Sequence, residues 1–510
     1  MSTSPTSLVP LAPTDTYQGP RRSLILAGGG MRVAYQAGVL RALEERGLVF
    51  HHADGTSGGT INLAMLFSGH TPREMCDRWR TLNVRDFASM MPPADYLAPH
   101  DMLAFGDADG IRANVFPHLG IECRNINAAA GMEGTFNVCN FTRKTNEVVS
   151  HRDIDTDLLV AGISLPVFMP PVARGDALYV DSVWIRDANL AESLRQNAEE
   201  IWVVWCIGNS PRYRRGIFHQ YVHMIELSAN GALFADFEGI EEHNKRVRDG
   251  GDGHEVRVHI IKPATPLPLD PDLFLGNITS GELIAMGYAD ASRYLSTMDA
   301  RGVPLTPEAT AMSDTGQGIT FRETMAGFFG LGEVDPHQGA SKGKAVGTSL
   351  AMHATIAIND MDTFIADPSH TGEITGDISF PPFGDHIPAT HGVFNLFKPT
   401  DEKNLKLMVY EMGFLHSGKP YYLAGRKEVR DDPGFDMWKD TTTLLTTLHE
   451  TDRNGPVIGA GILTLSVDEL MKLTSTMRAT NTAGIQESAA AVTKFGKFFM
   501  GELWETYVKS

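Results

Sequence analysis

The first 300 residues alternate between short apolar runs and longer stretches whose apolar residues recur at helical spacing. Such alternation predicts a mostly parallel sheet with helices on both faces. An apolar strand is predicted at residues 24–27, a short strand at 178–180, a fully buried strand at 201–207 and a further strand at 256–261. Helices are predicted after the first strand and at residues 60–67, 190–200, 218–248 and 280–298.

Three further segments of this region have recognisable patterns. Thr71-Pro72-Arg73-Glu74 predicts a helix start with Thr71 as N-cap. Residues 134–149 alternate around a polar turn and predict a hairpin, and residues 159–172 predict an apolar helix that runs into a proline-rich loop. Residues 86–109 have no clear period. They are interpreted either as a cover over a site or a surface that dips into lipid, or as an irregular loop packed on the domain.

From residue 319 onward the pattern changes to eight short alternating or β-branched runs separated by turn residues. This pattern is typical of an antiparallel barrel or sandwich. Two helices, at 467–477 and 485–507, are predicted to end the chain. An eight-stranded barrel can enclose one apolar ligand, but a core filled by side chains is the commoner case.

These patterns predict a domain organisation for the 510 residues. Residues 1–20 are rich in Ser, Thr and Pro and predict a disordered lead-in without a secretory h-region. Residues 21–299 form the predicted α/β domain, residues 300–318 a linker, and residues 319–510 the β-rich domain with its final helices.

Composition excludes several classes of protein. The formal charge of −18 argues against a general binder of nucleic acid. The four cysteines show no metal-ligand spacing, so no metal is predicted, and their small number fits a reducing, cytoplasmic compartment. No cofactor is predicted either. No run of about 18 apolar residues is present that would cross a bilayer as a helix.

The turn Gly55-Thr56-Ser57-Gly58-Gly59 is the first candidate for chemistry. A GxSxG pattern alone is weak evidence in a chain with 50 glycines. Here it joins a short strand to a helix, which is the context of a nucleophile elbow. Ser57 would then lie at a helix N-terminus, where developing negative charge is favoured.

The triplet Gly28-Gly29-Gly30 opens the preceding helix and could bind either a phosphate or an oxyanion. The dinucleotide fingerprint fails because Val33 stands at its last position, and no Walker lysine follows. Arg32 is interpreted either as fixing the loop through its carbonyl groups or as an ordinary solvated arginine.

A histidine is the usual base for a serine nucleophile. His51 and His52 precede the elbow strand and are expected to point away from it. Asp181 ends a predicted strand, and a desolvated carboxylate can take the serine proton directly. The alternative for Asp181 is a loop aspartate that makes turn or capping bonds.

The motifs GGGMR, GTSGG, ISLPVFMPPV and LYVDSV resemble the patatin-like phospholipases in order and spacing. The resemblance implies a three-layer α/β domain and hydrolysis of acyl esters by a Ser–Asp dyad without histidine or cofactor, on a lipid substrate at a lipid interface. By position it implies Ser57 and Asp181 as the dyad, with Asp181 preferred over Asp187. The residues implied for oxyanion or substrate binding are Gly28, Gly29, Gly30, Arg32 and Gly58.

The chain departs from this family at two positions, with Val33 after the arginine and Ser182 after the aspartate, where the family usually has glycine. Those departures favour a second hypothesis, a lipid-binding or scaffold protein with a vestigial dyad. The region after residue 319 resembles more loosely an accessory domain of cholesterol-oxidase-type flavoproteins. That resemblance implies at most a module for lipids or sterols, since no flavin fingerprint accompanies it.

Overall fold

The computed structural model describes residues 8–91, 102–207, 212–313, 315–402, 405–430 and 437–507. The chain divides into two compact units. The first contains the described residues up to 313 except 212–215, which group with the second unit. Among the described residues, no helix combines the length and apolar character needed to span a bilayer.

The first unit is an α/β domain built on one large sheet. Its strands are β1 (Arg22–Leu26), β2 (His52–Gly55), β3 (Ser89–Met90), β4 (Gly106–Asp107), β5 (Glu133–Asn140), β6 (Thr145–Ser150), β7 (Val172–Arg174), β8 (Ala177–Asp181), β9 (Glu200–Val204) and β10 (Arg257–Ile261). Its helices are α1 (Ala34–Glu45), α2 (Gly58–Phe67), α3 (Pro72–Thr81), α4 (Phe116–Leu119), α5 (Cys123–Ala128), α6 (Thr156–Ile163), α7 (Leu190–Arg195), α8 (Ile217–Arg248), α9 (Asp270–Phe274) and α10 (Ser280–Thr297).

The strand order in this sheet is β10-β9-β1-β2-β5-β8-β7, with β6 also paired to β5. The five strands from β10 to β5 are parallel, whereas β6, β7 and β8 join in antiparallel pairs. Consecutive residues of β1 alternate between two apolar cores, because Leu24 packs in one and Ile25 in the other. Helices therefore cover both faces, and the prediction of a mostly parallel sheet is confirmed.

Local signals in the sequence explain where several elements begin. Thr71 and Glu74 form the predicted capping box at the start of α3. The predicted hairpin is the β5–β6 pair. The apolar helix predicted from residue 159 is α6, whose N-cap Asp155 accepts a hydrogen bond from Leu158 N.

The segment assigned above to a disordered lead-in is ordered from residue 8 onward. Val9 and Leu11 are buried in the same core as Leu24, and Leu8 forms a parallel bridge with Ala130. The Ser, Thr and Pro content of this segment concealed two apolar anchors. Residues 8–20 are thus part of the α/β domain, and the prediction of disorder is wrong for them.

The second unit is a closed antiparallel barrel of eight strands. All eight predicted runs form strands, and β11 pairs with both β18 and β12 to close the ring. Alternate strand residues fill its interior with apolar side chains. The strands are β11 (Gly318–Leu331), β12 (Ser349–Ile358), β13 (Thr371–Phe380), β14 (Gly384–Pro399), β15 (Leu405–His416), β16 (Lys419–Arg430), β17 (Thr443–Glu450) and β18 (Val457–Thr464); a short β19 (Arg478–Thr480) also pairs with β11.

Helices flank the barrel strands and end the described chain. They are α11 (Pro336–Val346), α12 (Met361–Ala366), α13 (Met437–Thr442), α14 (Val467–Thr476) and α15 (Ile485–Tyr507). The two final helices are those predicted from the sequence. Phe495 of α15 packs into the barrel core beside Phe321.

Candidate active site

Ser57 lies on the tight turn between β2 and α2. Its backbone has φ 53° and ψ −132°, a conformation that non-glycine residues rarely adopt. Such a conformation costs about 1–3 kcal/mol and persists only where the surrounding structure enforces it. Gly59 N donates to Thr56 O and Thr60 N to Ser57 O, each over 2.9 Å, so the first turn of α2 enforces the conformation of Ser57.

The two glycine turns are in van der Waals contact with each other. A Cβ at Gly59 would overlap the carbonyl oxygen of Leu26, and a Cβ at Gly58 would overlap that of Gly30. A side chain at either position would push the loop after β1 away from the serine. Glycine is therefore required here for close approach, which brings the Gly28–Gly30 loop next to Ser57.

Asp181 reaches the serine from a strand that runs opposite to the parallel ones. Strand β8 pairs antiparallel with β5, with Asp181 opposite Val138. Gly55 at the end of β2 is opposite Phe136 of β5, so Asp181 lies two residues further along β5 than the end of β2. Because of this offset Asp181, the last residue of β8, lies level with the turn that follows β2.

The Asp181 carboxylate is completely buried. Its Oδ1 accepts a hydrogen bond from Val183 N over 2.9 Å, while Oδ2 has no aligned partner. Burial raises the pKa of Asp181 to about 7, and the Ser57 hydroxyl is the strongest of the groups that lower it. The Ser57 hydroxyl thus interacts with the buried carboxylate that is proposed as its base.

Asp187 is a second buried carboxylate in the same site. Its Oδ1 accepts from Gly28 N over 2.9 Å, and its Oδ2 has no partner among the described residues. Burial, reinforced by the nearby Asp181 carboxylate, raises the pKa of Asp187 to about 8. Asp187 is therefore mostly neutral at neutral pH and adds little repulsion to an anion formed beside it.

The glycine loop presents free backbone donors. The N–H groups of Gly29, Gly30 and Gly58 have no hydrogen-bond partner within the described part of the chain. Arg32 Nε donates to Gly29 O over 2.9 Å. Of the two roles considered for Arg32, this bond corresponds to fixing the loop through its carbonyl groups. These three N–H groups are the available donors for an oxyanion.

Asp270, at the start of α9, is a site residue that sequence reasoning missed. Its Oδ1 accepts from Met31 N over 3.0 Å, and its Oδ2 lies 2.5 Å from where a Cβ of Gly30 would stand. Burial raises the pKa of Asp270. No motif marks this residue, which follows Ser57 by more than 200 positions. Asp187 and Asp270 thus both accept hydrogen bonds from the backbone of the glycine loop and its first following residue.

A buried polar network holds the two turns. Gln36 Nε2 donates to Ala27 O over 2.6 Å, Asn62 Nδ2 donates to Gln36 Oε1 over 2.9 Å, and Trp79 Nε1 donates to Asn62 Oδ1 over 2.8 Å. Asn62 Nδ2 also donates to Val33 O over 2.7 Å. Helices α1, α2 and α3 are thus tied to the loop that carries the free donors.

The two histidines near the elbow take no part in the site. His52 Nδ1 is 2.7 Å from Ser23 Oγ and Nε2 is 2.8 Å from Thr135 Oγ1, and burial lowers the His52 pKa to about 3. His51 Nδ1 accepts from Arg22 N. Both lie at the opposite end of β2 from Ser57, as predicted, and none of the described residues that line the cavity is a histidine.

The two departures from the family pattern are both accommodated. Val33 is completely buried behind the loop, with Cγ1 2.8 Å from where a Cβ of Gly58 would stand. The Ser182 hydroxyl donates to Asn146 Oδ1 on β6, which directs this side chain to the hairpin. Neither residue lines the cavity described next.

An apolar cavity of about 400 Å³ opens at Ser57. The glycine loop and the serine form its polar end, and apolar side chains from several segments of the first unit form its walls. The segment 86–109 supplies part of the cover, although residues 92–101 lie outside the described chain. The main apolar lining residues are Ile61, Phe87, Met90, Phe105, Ile111, Ile163, Leu165, Phe168, Met169, Val183, Phe218, Tyr221, Val222, Ile225 and Phe274.

The mouth of this cavity carries exposed apolar side chains, which we name the apolar rim: Met90, Leu103, Phe105, Val167, Ile217 and Phe218. The rim is continuous. Phe105 N donates to Val167 O over 2.9 Å, and the Phe168 ring contacts the rings of both Phe105 and Phe218. Met90 is 79% exposed and Phe105 60%, yet both also line the cavity, so the rim leads directly to Ser57.

Residues 24–194 match the family model of patatin-like phospholipases. Two uncharacterised NTE family proteins, from Mycobacterium bovis and Mycobacterium tuberculosis, are each 29% identical to the chain over 164 residues. The match covers 32% of this chain and 26% of each relative, so the chain spans about a quarter of their length. The first unit is a patatin-like α/β domain.

Two solved structures show weak overall similarity. VipD from Legionella pneumophila is 14% identical with a TM-score of 0.28, and the match covers 58% of this chain and 72% of that chain. The type III effector protein ExoU is 14% identical with a TM-score of 0.20, and the match covers 57% and 70% of the two chains.

Proposed function

We propose that the protein is a serine acyl hydrolase that acts on lipid esters. The match of residues 24–194 to the patatin-like phospholipase model supports a lipid hydrolase. The observation that carries the finer proposal is the arrangement around Ser57: a serine at φ 53° beside a buried carboxylate and three free N–H groups, at the end of an apolar cavity.

In this proposal Asp181 accepts the Ser57 proton while the serine oxygen attacks the ester carbonyl. The negative charge that develops on the carbonyl oxygen is stabilised by the N–H groups of Gly29, Gly30 and Gly58. Collapse of the tetrahedral intermediate breaks the ester bond, and the proton passes from Asp181 to the leaving alcohol. Water then attacks the acyl-serine, with Asp181 again accepting the proton. Collapse of this second intermediate breaks the bond to the Ser57 oxygen, which takes the proton back from Asp181 as the carboxylic acid leaves.

The proposed substrate is an ester with a long apolar acyl chain, because the cavity walls are aliphatic and aromatic. The proposed place of action is a lipid surface. Exposed apolar patches that lead into a ligand cavity mark interaction sites. The apolar rim would contact the lipid phase and allow an acyl chain to enter without crossing water.

Ser57→Ala with a chromogenic long-chain acyl ester tests this proposal. Loss of the nucleophile should reduce kcat/KM by about 10³-fold or more, since removal of a catalytic serine leaves only the contribution of the remaining site. A fluorophosphonate probe should label the unmodified protein and not the variant. The alternative function, a lipid-binding protein with a vestigial dyad, requires an unlabelled serine and hydrolysis that is unchanged in Ser57→Ala.

A further inference from the structure

Three side chains of the barrel converge on its outer face. Met352 and Ala354 of β12 point into the barrel core, so His353 between them points outward. Its directly opposite partner on β13 is Asp377. His386 of β14 lies on the far side of Asp377, with Nδ1 2.8 Å from Asp377 Oδ1. One ligand atom from each residue lies within 4.8 Å of the others.

The backbone around His386 is irregular. His386 has φ 47°, and the β13–β14 pairing shifts register between Glu373 and Asp377 and again between Ile378 and Phe380. Such bulges re-aim side chains and are common beside functional sites. A positive φ at a residue other than glycine costs free energy, so this conformation persists only where the surrounding structure enforces it. The irregularity places the His386 imidazole over Asp377.

The environment of the three residues suits a metal ion. The Asp377 side chain is only 6% exposed, and a buried carboxylate requires a positive or hydrogen-bonding partner. The ring atoms that face away from the cluster have acceptors nearby. His353 Nδ1 is 3.4 Å from Thr324 Oγ1, and His386 Nε2 is 4.0 Å from Asp385 Oδ2. Metal-binding imidazoles usually have such partners on the second nitrogen.

We propose that His353, Asp377 and His386 bind a divalent transition-metal ion of the Zn²⁺ type. The ligating atoms would be His353 Nε2, Asp377 Oδ1 and His386 Nδ1. Two imidazoles and a carboxylate suit Zn²⁺ and its neighbours, whereas Mg²⁺ and Ca²⁺ prefer oxygen ligands alone. Zinc binds imidazole nitrogen at about 2.0–2.1 Å, so ligand atoms must lie within about 4.2 Å of each other. The ligand atoms now lie within 4.8 Å of one another, so any pair beyond this limit has to move closer when the ion binds.

Three protein ligands leave a coordination position for water or a ligand. The His386 side chain is 34% exposed, so this position faces solvent. The three ligands come from three adjacent strands. A bound ion would therefore also link β12, β13 and β14. The three ligands follow no short sequence motif, so the sequence alone does not indicate this site.

Zinc binding by the full chain tests the proposal. After treatment with a chelator and dialysis, the protein is titrated with Zn²⁺ against a chromophoric competitor, and bound metal is counted by mass spectrometry. We expect one ion for each chain, and at least about tenfold weaker binding for His353→Ala and for His386→Asn. Removing a residue that only hydrogen-bonds to a metal ligand already lowers metal affinity by about tenfold or more, and removing the ligand itself should lower it at least as much. Asparagine is chosen at residue 386 because it tolerates a positive φ.

His416→Ala is the matched control, since His416 ends strand β15 of the same barrel and is not one of the three proposed ligands. Asp377→Asn retains the shape of the side chain and should also weaken binding. Unfolding midpoints of the metal-free variants are compared with the metal-free parent protein, and only variants that fold are titrated. A chain that binds no zinc, or a folded His353→Ala/His386→Asn variant that binds as tightly as the parent, overturns the proposal.

Two further measurements distinguish this site from other histidines and from the hydrolase site. Co²⁺ bound by the parent protein should give a visible ligand-field spectrum that is lost in the double variant, and Mg²⁺ should not compete. Ser57→Ala should bind zinc like the parent. Equal Co²⁺ spectra from parent and double variant would assign the metal to another place and contradict the proposal.

Discussion

Asp187 accepts a hydrogen bond from the Gly28 amide over 2.9 Å, so one N–H of the glycine triplet is occupied before any substrate binds. The donors left for an oxyanion are those of Gly29, Gly30 and Gly58. The two buried aspartates nearest the serine thus have different partners, Asp181 against Ser57 and Asp187 against the loop.

This difference predicts unequal effects of two matched substitutions. Asp181→Asn should lower kcat/KM by about 10²-fold or more, because an amide cannot accept the serine proton. Asp187→Asn should lower it by less than about fivefold, because the amide oxygen still accepts from Gly28 and the carboxyl group it replaces is mostly neutral at pH 7. Both are measured with the same chromogenic ester. A reversed order would make Asp187 the base.

The raised pKa of Asp181 predicts the pH dependence of hydrolysis. A base works only when unprotonated, so kcat/KM should rise with pH, pass a midpoint near pH 7 and level off above it. Below the midpoint it should fall about tenfold for each pH unit. Because Asp187 interacts with Asp181, the midpoint belongs to the pair. A flat profile from about pH 5.5 to about pH 8.5 would show that no group of raised pKa acts as base.

The close contact at Gly58 predicts that a side chain at this position would lower activity. In Gly58→Ala the new methyl group would overlap Gly30 O and approach Val33 Cγ1, so the oxyanion loop has to move. Loss of one aligned donor costs about 10²–10³-fold in kcat, and we expect a decrease in that range. Gly239→Ala on α8 is the control, since a Cβ there meets nothing within 4 Å. If both variants hydrolyse the ester equally well, the loop is not constrained at Gly58.

The apolar rim predicts a difference between dissolved and aggregated substrates. Ile217, the first residue of α8, is 92% exposed beside Phe218. Ile217→Ser should reduce hydrolysis of phospholipid vesicles by about threefold to tenfold, because partial burial of an isoleucine in lipid is worth about 1 kcal/mol. Hydrolysis of a short soluble ester should not change.

Ile485→Ser provides a matched control for that experiment. Ile485 is the first residue of α15, is 90% exposed, and belongs to the other unit. Its substitution should leave both activities unchanged. If the two variants behave alike on vesicles, the rim has no special role at the lipid surface.

Most of the fold follows from hydrophobic periodicity. The eight barrel strands and the long helix α8 occupy stretches whose apolar spacing matches the element formed, and polar residues at Thr71 and Glu74 mark the start of α3. The resemblance to cholesterol-oxidase accessory domains stays a prediction, as do the roles of Ser57 and Asp181.

Features that depend on contacts between distant parts of the chain could not be predicted from the sequence. Val9 and Leu11 look like part of a polar terminus until the core they enter is known. Asp270 lies against the glycine loop only because α9 begins there. The direction of β8 was also hidden, because a short apolar strand reads the same in parallel and antiparallel pairs.

The pairing of β8 with β5 makes the distance between Ser57 and Asp181 a matter of strand register. Side chains of a strand alternate between faces, so a slip of one residue would turn Asp181 to the opposite face of the sheet, and no intermediate position exists. A shift in register therefore cannot adjust the distance between Ser57 and Asp181 in small steps: the contact is either kept or lost. The first residues of the turn between β5 and β6 extend this register, because Phe141 N donates to Leu178 O over 2.7 Å and Leu178 N donates to Thr142 Oγ1 over 2.9 Å. A change in length at these residues would therefore disturb β8 as well.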